Sequence, residues 1–290
     1  MTIKLGLVGF GEWGQNYFRT IRNLRNVELA AICKRDPSTV PAPVRKVVPV
    51  TTSLEQVLRK GAKGVIVATP PSSHREIACF YLERGIPVML EKPVAETIED
   101  AEAVFEASAR SGAPVLVNHV HLFSPAFNAL KRSVSPWSPI HVRSEAGNQG
   151  PYRSYSALLD WGPHDVAMAM AVFGRSPDAA EIRSVSSDLG DVYNIRLQFG
   201  DSLADLTVGN GMASKRRVFE ASCGDRIATY DGEAKSPLTV DGLEVSVPGT
   251  RPLEEATFMF SRCVDIRDMD WRFSPGLALD VMRILSVPVT

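Results

Sequence analysis

Several things that sort proteins into classes are scarce or missing from this sequence. Cysteine is scarce. Cys33, Cys79, Cys223 and Cys263 are the four in 290 residues, and none has the spacing of a disulfide framework, a zinc site or a redox pair. They read as buried thiols of a reducing compartment. An excess of one charge is missing too: 32 Lys and Arg stand against 33 Asp and Glu, a net charge of −1. That excludes a broad cationic field for nucleic acid or anionic lipid. No apolar run approaches the ~20 residues of a membrane-spanning helix, so no membrane partner is expected. The run Ile3–Val8 is too short for a signal-peptide core, and no small-residue cleavage site follows it. The expected location is the cytoplasm. Internal repeats and low-complexity tracts are absent as well.

What is present is a periodic texture that changes once. Residues 1–120 alternate apolar runs with helical segments. Strands are expected at Ile3–Val8, Val27–Cys33, 47–50, 64–68, 88–90 and 115–117. Helices are expected at 15–24, at 53–61 behind a Ser53-to-Gln56 capping box, at 74–84, and between a Thr97 cap and Gly112. Strands that are apolar throughout are buried on both faces, as in a parallel sheet, and their alternation with helices is the doubly wound pattern. Residues 121–290 change to period two. Tyr193, Ile195, Leu197 and Phe199 alternate with Asn194, Arg196 and Gln198, and Asp231-Gly232 and Asp241-Gly242 are hairpin signals. This predicts an antiparallel sheet with one face covered. It is accompanied by helices at Ala157–Phe173 and Pro275–Leu285, and by a Pro/Ser loop at 133–139. The fold class is therefore α/β plus α+β: an N-terminal Rossmann domain, 1–120, and a C-terminal antiparallel-sheet domain, 121–290. The final helix is a candidate to pack back on the first domain. Helices look too few to cover both sheet faces, so the uncovered face is expected to be apolar and to pair with another copy as a homo-dimer or homo-tetramer.

Chemistry concentrates in a few places. Gly9-Phe10-Gly11-Glu12-Trp13-Gly14 follows an apolar strand and opens a helix, the context in which G-x-G-x-x-G cradles a dinucleotide pyrophosphate on free N–H groups and the positive end of a helix dipole. About 20 residues further on, an acid commonly bonds the ribose of NAD. Lys34 and Arg35 stand there instead, with Asp36 next. Two cations suit the 2′-phosphate of NADP; two solvated charges at a strand end are the plain alternative, with Asp36 as a possible ribose partner. NADP is favoured over NAD. Thr69-Pro70-Pro71 and His74 follow the fourth strand, where ligands of doubly wound sheets sit; a rigid connection would use the same residues. Glu91-Lys92-Pro93 follows the fifth strand. A lysine before proline is held out of the helical region, and its cation can bond a substrate hydroxyl and stabilise developing alkoxide charge. Asn118 ends the sixth strand, in place to touch nicotinamide or substrate. In the second half, Asp160 and His164 are four residues apart on one helical face, and a histidine beside a carboxylate is suited to proton transfer. Asp165 reads better as a cap or core hydrogen bond. His119 and His121 have no third clustered ligand, and no metal site is expected.

Together these residues resemble the glucose–fructose oxidoreductase / inositol dehydrogenase (Gfo/Idh/MocA) family. The glycine turn, Ala68 to His74, Glu91-Lys92-Pro93 and Asp160 to Asp165 stand in the family's order. So do a helix near Leu253, Trp271-Arg272 and a closing helix. The resemblance implies a Rossmann domain joined to an open-faced antiparallel sheet. It implies sugars, polyols or sugar nucleotides as substrates, catalysis by Lys92, Asp160 and His164, and a cis bond before Pro93. Lys34 departs from the acidic residue common in the family, and the chain is short for it. The expected reaction is oxidation of a secondary alcohol, with a non-catalytic cofactor-binding sensor, or a net non-redox reaction with a held cofactor, as alternatives.

Overall fold

The computed structural model describes residues 2–185, 187–249 and 251–290. Along the chain, β1 (Ile3–Val8), α1 (Glu12–Asn23), β2 (Val27–Cys33), α2 (Ala42–Arg45), β3 (Val50–Thr51), α3 (Leu54–Arg59), β4 (Gly64–Val67), α4 (His74–Leu82), β5 (Val88–Glu91), α5 (Ile98–Ser111) and β6 (Val115–Asn118) come first. They are followed by α6 (Pro125–Val134), β7 (His141–Gln149), α7 (Ala157–Phe173), β8 (Ala179–Val185), β9 (Val192–Phe199), β10 (Ser202–Gly209) and β11 (Gly211–Cys223). The last elements are β12 (Arg226–Asp231), β13 (Leu238–Val240), β14 (Leu243–Glu244), α8 (Pro252–Ile266) and α9 (Pro275–Leu285). Two compact units result. One comprises Met1–Asn118 with Leu253–Gly276, the other His119–Pro252 with Leu277–Thr290. The return of a C-terminal segment to the first unit involves α8, whose Phe260 and Val264 lie against Gly64 of β4.

The first unit is a parallel sheet in the order β3-β2-β1-β4-β5-β6, the doubly wound order in which the crevice falls beyond β1 and β4. Strands β4, β5 and β6 are buried along their whole length, in keeping with apolar runs broken only by Glu91 and Asn118 at the ends of β5 and β6. Local chemistry sets the boundaries. Thr97 Oγ1 accepts from the Asp100 N–H at 3.1 Å to start α5, and Gly112, at φ 70°, ends it. The third strand is shorter than expected and shifted: the N–H groups of Val47 and Val48 both turn back to the Val44 carbonyl, so pairing with β2 begins only at Val50. The capping box of α3 is half formed. Ser53 Oγ accepts from the Gln56 N–H, but the Gln56 side chain accepts from Thr51 Oγ1, which also takes the Ser53 N–H.

The second unit holds an eight-stranded sheet, β14-β13-β12-β11-β7-β10-β9-β8. It is mixed rather than wholly antiparallel, because β7 lies between β11 and β10 and runs parallel to β10. Asp241-Gly242 forms the tight turn expected, with φ 51° and 79° at its two residues. Asp231-Gly232 instead opens a longer connection to Leu238, with the Gly232 N–H bonded to the Arg217 carbonyl. α7 supplies buried apolar residues from Ala157 to Ala171, starts on Ser156 and stops at Gly174, at φ 68°. Residues alternating with the buried positions of β7, β9 and β10 do not form the apolar face expected for pairing. They carry Arg196 bonded to Asp205 at 2.7 Å, His141 to the same carboxylate at 2.9 Å, Arg216 to Glu145 at 2.9 Å and Thr207 to Asn194 at 3.0 Å. The period-two pattern had put Asn194 and Arg196 on one side, and with these partners the expected apolar pairing surface is corrected to a polar, internally compensated one.

Candidate functional site

The first unit carries a cavity of about 680 Å³ at the carboxyl ends of β1, β2 and β4. Gly9 stands at φ 95°, and a Cβ there would fall 2.5 Å from the Ala68 carbonyl oxygen, so the turn out of β1 admits only glycine. A Cβ on Gly14 would collide with the Gly9 carbonyl, which is why the first turn of α1 can sit down on the glycine turn. Gly11 differs: it is exposed, and a Cβ there would meet nothing within 4 Å. It caps α1 without a side-chain hydrogen bond, and the first intrahelical bond is from the Gln15 N–H to the Gly11 carbonyl. The helix therefore starts with unsatisfied N–H groups at open space, as anion binding needs.

Of the residues singled out from sequence, Gly9, Phe10, Gly11, Lys34, Arg35, Thr69 and Pro70 line this cavity. Lys34 Nζ donates to the Phe10 carbonyl at 3.1 Å, tying the end of β2 to the glycine turn, while Arg35 is exposed on the rim. Asp36 lines the cavity as well, but its Oδ1 accepts from the Ser38 N–H at 3.0 Å and the Ser38 hydroxyl at 2.6 Å; these bonds hold its carboxyl below the ordinary range. Sequence reading missed Thr39 and Thr52, which also line the cavity and carry no motif, and it did not single out Ser73 within the Ala68-to-His74 segment.

The remaining candidates of this unit lie elsewhere. Glu12 is exposed and Trp13 half-exposed on the first turn of α1. Pro71 and His74 are buried. His74 is fully enclosed, with Nδ1 3.1 Å from the Pro93 carbonyl and Nε2 2.9 Å from the Thr69 carbonyl. Burial lowers its pKa, against the pull of the two carbonyls toward the cation, so it acts as a strut between the Thr69 loop and the loop after β5 rather than as a cofactor contact. Glu91 is likewise behind the surface. Tyr17 Oη donates to Glu91 Oε1 at 2.5 Å, and Asn118 Nδ2 reaches Tyr17 Oη at 2.7 Å and Glu91 Oε1 at 2.9 Å. Burial, the largest effect, raises the Glu91 carboxyl, although these donors pull it down. Tyr17 was missed in the sequence; its only signal is its place on the buried stripe of α1 with Gly14, Phe18 and Ile21. Asn118 Oδ1 is buried without a hydrogen-bond partner among the described residues. Lys92 itself is half-buried, and its bond to Pro93 is cis, as the resemblance implies.

In the second unit, Asp160 and His164 lie inside α7, one turn apart, with Pro163 in the helix between them and the next turn. Asp160 is approached by Arg153 Nε at 3.5 Å, and Tyr155 Oη donates to it at 3.3 Å. His164 is 5 % exposed. His121 stands edge-on to its ring, with centroids 4.8 Å apart. Asp165 is a core group: Arg217 Nη1 reaches it at 2.6 Å and Ser144 Oγ at 2.9 Å. The four cysteines are free, and only Cys33 and Cys263 are buried; Cys79 and Cys223 are half-exposed.

Comparison with known proteins adds three kinds of likeness. Residues 3–119 match the family described as "Oxidoreductase family, NAD-binding Rossmann fold". The chain is 26% identical over 237 residues to D-apiose dehydrogenase of Paraburkholderia graminis, covering 78% of this chain and 56% of that one. It is 27% identical over 272 residues to 4-carboxy-2-hydroxymuconate-6-semialdehyde dehydrogenase of a Sphingobium species, covering 85% and 86% of the two chains. A crystal structure from Magnetospirillum magnetotacticum MS-1, described only as an oxidoreductase, superposes with a TM-score of 0.88 at 31% identity over 98% of this chain and 99% of that one.

Proposed function

Because the chain belongs to the Gfo/Idh/MocA family of oxidoreductases, we propose that it carries hydride between a nicotinamide dinucleotide and a secondary hydroxyl of a sugar, polyol or sugar-nucleotide-like substrate. The observation that carries this reading is the cavity at the carboxyl ends of β1, β2 and β4, with an uncapped helix start and the open side of Gly11. Those features fit a dinucleotide. The Gly9-to-Gly11 turn and the first N–H groups of α1 would hold the pyrophosphate, and Thr69 and Pro70 would flank it. Asn118 Oδ1 would be available to a donor. When bound, the nicotinamide supplies the hydride acceptor or donor. NADP is the favoured form, since Lys34 and Arg35 place two cations at the end of β2 while the carboxylate of Asp36 is engaged by Ser38.

His164 takes the hydroxyl proton as general base. Lys92 donates a hydrogen bond to the same oxygen and stabilises its developing charge. Asp160, steadied by Arg153 and Tyr155, orients the substrate or the histidine. Names of relatives such as apiose and inositol dehydrogenase support the substrate class, and four free cysteines support the cytoplasm as its compartment. Thermal unfolding with NAD, NADP and their reduced forms tests the cofactor part. A ligand at 100 times its dissociation constant adds ~2.7 kcal/mol, and we expect the larger stabilisation from the NADP pair. No stabilisation by any of the four would overturn the proposal.

A further inference from the structure

The Lys92–Pro93 turn is gripped from both sides within the first unit. Glu91 and Asn118 are register partners at the carboxyl ends of β5 and β6. Their side chains leave the sheet on one face, where Tyr17 of α1 meets them. Tyr17, Asn118 and Glu91 are 0%, 0% and 5% exposed. Tyr17 Oη donates to Glu91 Oε1 at 2.5 Å, and Asn118 Nδ2 gives one hydrogen to Tyr17 Oη at 2.7 Å and the other to Glu91 Oε1 at 2.9 Å. The backbone N–H of Lys92 donates to the same carboxyl group, and the Lys92 ammonium attracts it. Beyond the turn, His74 Nδ1 lies 3.1 Å from the Pro93 carbonyl oxygen, while its Nε2 is 2.9 Å from that of Thr69.

A glutamate side chain has several rotatable bonds, and holding it in one rotamer costs entropy. Two donors from two other elements fix it here: Tyr17 pins Oε1 from α1, and Asn118 pins it from β6. Burial, and after it the charge of Glu91, holds the Tyr17 phenol well above its ordinary value, so the hydroxyl stays a donor. Packing does not require that hydroxyl. The ring belongs to the buried stripe of α1 with Gly14, Phe18 and Ile21, and a phenylalanine would fill the same space. Burying a carboxyl group costs stability that an apolar side chain would not, so the trio marks a role beyond packing. That role lies in the turn it touches. A displacement of ~1 Å in a group beside the chemistry can cost on the order of 10²-fold in rate.

We propose that Tyr17 is a positioning residue of the reaction: it locks the Glu91 carboxyl group against the Lys92 N–H and so fixes the direction in which Lys92 leaves β5. This rests on the reading of Lys92 as the donor to the substrate hydroxyl. Asn118 completes the lock from β6, and His74 bounds the turn on its far side. No covalent or redox step is involved.

Amide hydrogen exchange followed by NMR on the full chain tests the lock without cofactor or substrate. In Tyr17→Phe, which removes one hydroxyl, the Lys92 N–H should exchange faster by on the order of tenfold, about the size of one hydrogen bond. The N–H groups of Val88, Met89 and Leu90 in β5 should keep their wild-type rates, whereas a general loosening of the fold would speed all four alike. Glu91→Gln keeps the shape but leaves one acceptor oxygen for three donors; it should speed Lys92 too, and it serves if Tyr17→Phe fails to fold. In turnover of a secondary alcohol, kcat of Tyr17→Phe should fall by on the order of tenfold, with the dissociation constant of NADP within about twofold of the wild type. An unchanged Lys92 exchange rate in the folded variants overturns the lock and leaves the oxidoreductase reading standing. Faster exchange along the whole of β5, or an unchanged kcat beside a faster Lys92 amide, overturns the positioning role as well. Faster Lys92 exchange together with full turnover by Lys92→Met would instead overturn the reading of Lys92 as the donor, and with it the purpose proposed for Tyr17.

Discussion

Removing the Arg217 side chain should cost this protein more stability than any surface change. The guanidinium of β11 meets the Asp165 carboxylate of α7 at 2.6 Å, with side chains 9% and 1% exposed. Ser144 of β7 donates to the other carboxylate oxygen at 2.9 Å. In Arg217→Met the volume is largely kept, but Asp165 Oδ2 loses its partner and a buried anion keeps a single hydroxyl donor. Breaking a buried pair from one side costs ~3–5 kcal/mol, a large part of the ~5–15 kcal/mol a protein has. For a chain of this length each kcal/mol lowers Tm by ~2–4 °C, which gives a fall of ~6–20 °C. Calorimetry and urea unfolding measure it. The double variant Asp165→Leu with Arg217→Met should recover most of the loss, since no charge then remains to be desolvated. A loss below ~1 kcal/mol in the single variant, or a double variant no better than the single, would show that the carboxylate reaches water, and the reasoning from burial would fail.

Two further outcomes follow from the first unit. Lys34→Asp, and more selectively Arg35→Ala, should lower the affinity for NADP while leaving that for NAD within about twofold, because only the former presents a phosphate to these cations; calorimetric titration with both cofactors checks this, and equal losses for the two would contradict it. Glu91 binds its proton more tightly in the folded chain than at its ordinary 4.5, so the stability it contributes is present in acid and is lost as pH rises through its raised native value. The Tm of Glu91→Gln should therefore gain on the wild type as pH increases from about 4.5, and a flat or opposite trend in Tm against pH would contradict the raised value.

The parts of the fold and site visible in the sequence are those governed by local rules. The strands β1 and β2, the helices α7 and α9 and the Thr97 and Gly112 caps follow from apolar period and capping chemistry. The Gly9 turn was legible because its geometry tolerates no side chain. Partnerships between distant segments were not. Tyr17 and Glu91 are 74 residues apart and Arg217 and Asp165 are 52 apart, and no spacing announces either. For the same reason nothing local to His74 or Glu91, both candidates for cofactor binding, announced that folding turns them inward. The parallel pairing of β7 with β10 was hidden because alternation reports which face is covered and not which neighbour is hydrogen-bonded.

The central claim is that His164 is the general base of a nicotinamide-dependent dehydrogenase. It is tested most directly by following reduced nicotinamide during incubation with a panel of sugars and polyols, for the wild type and His164→Ala, with cofactor affinity measured on the same samples. The account predicts turnover by the wild type on at least one secondary alcohol, a fall of ~10²–10⁴-fold in the variant, and an unchanged dissociation constant for the cofactor. Equal turnover by the two proteins, or cofactor binding with no turnover on any of these alcohols, would contradict it.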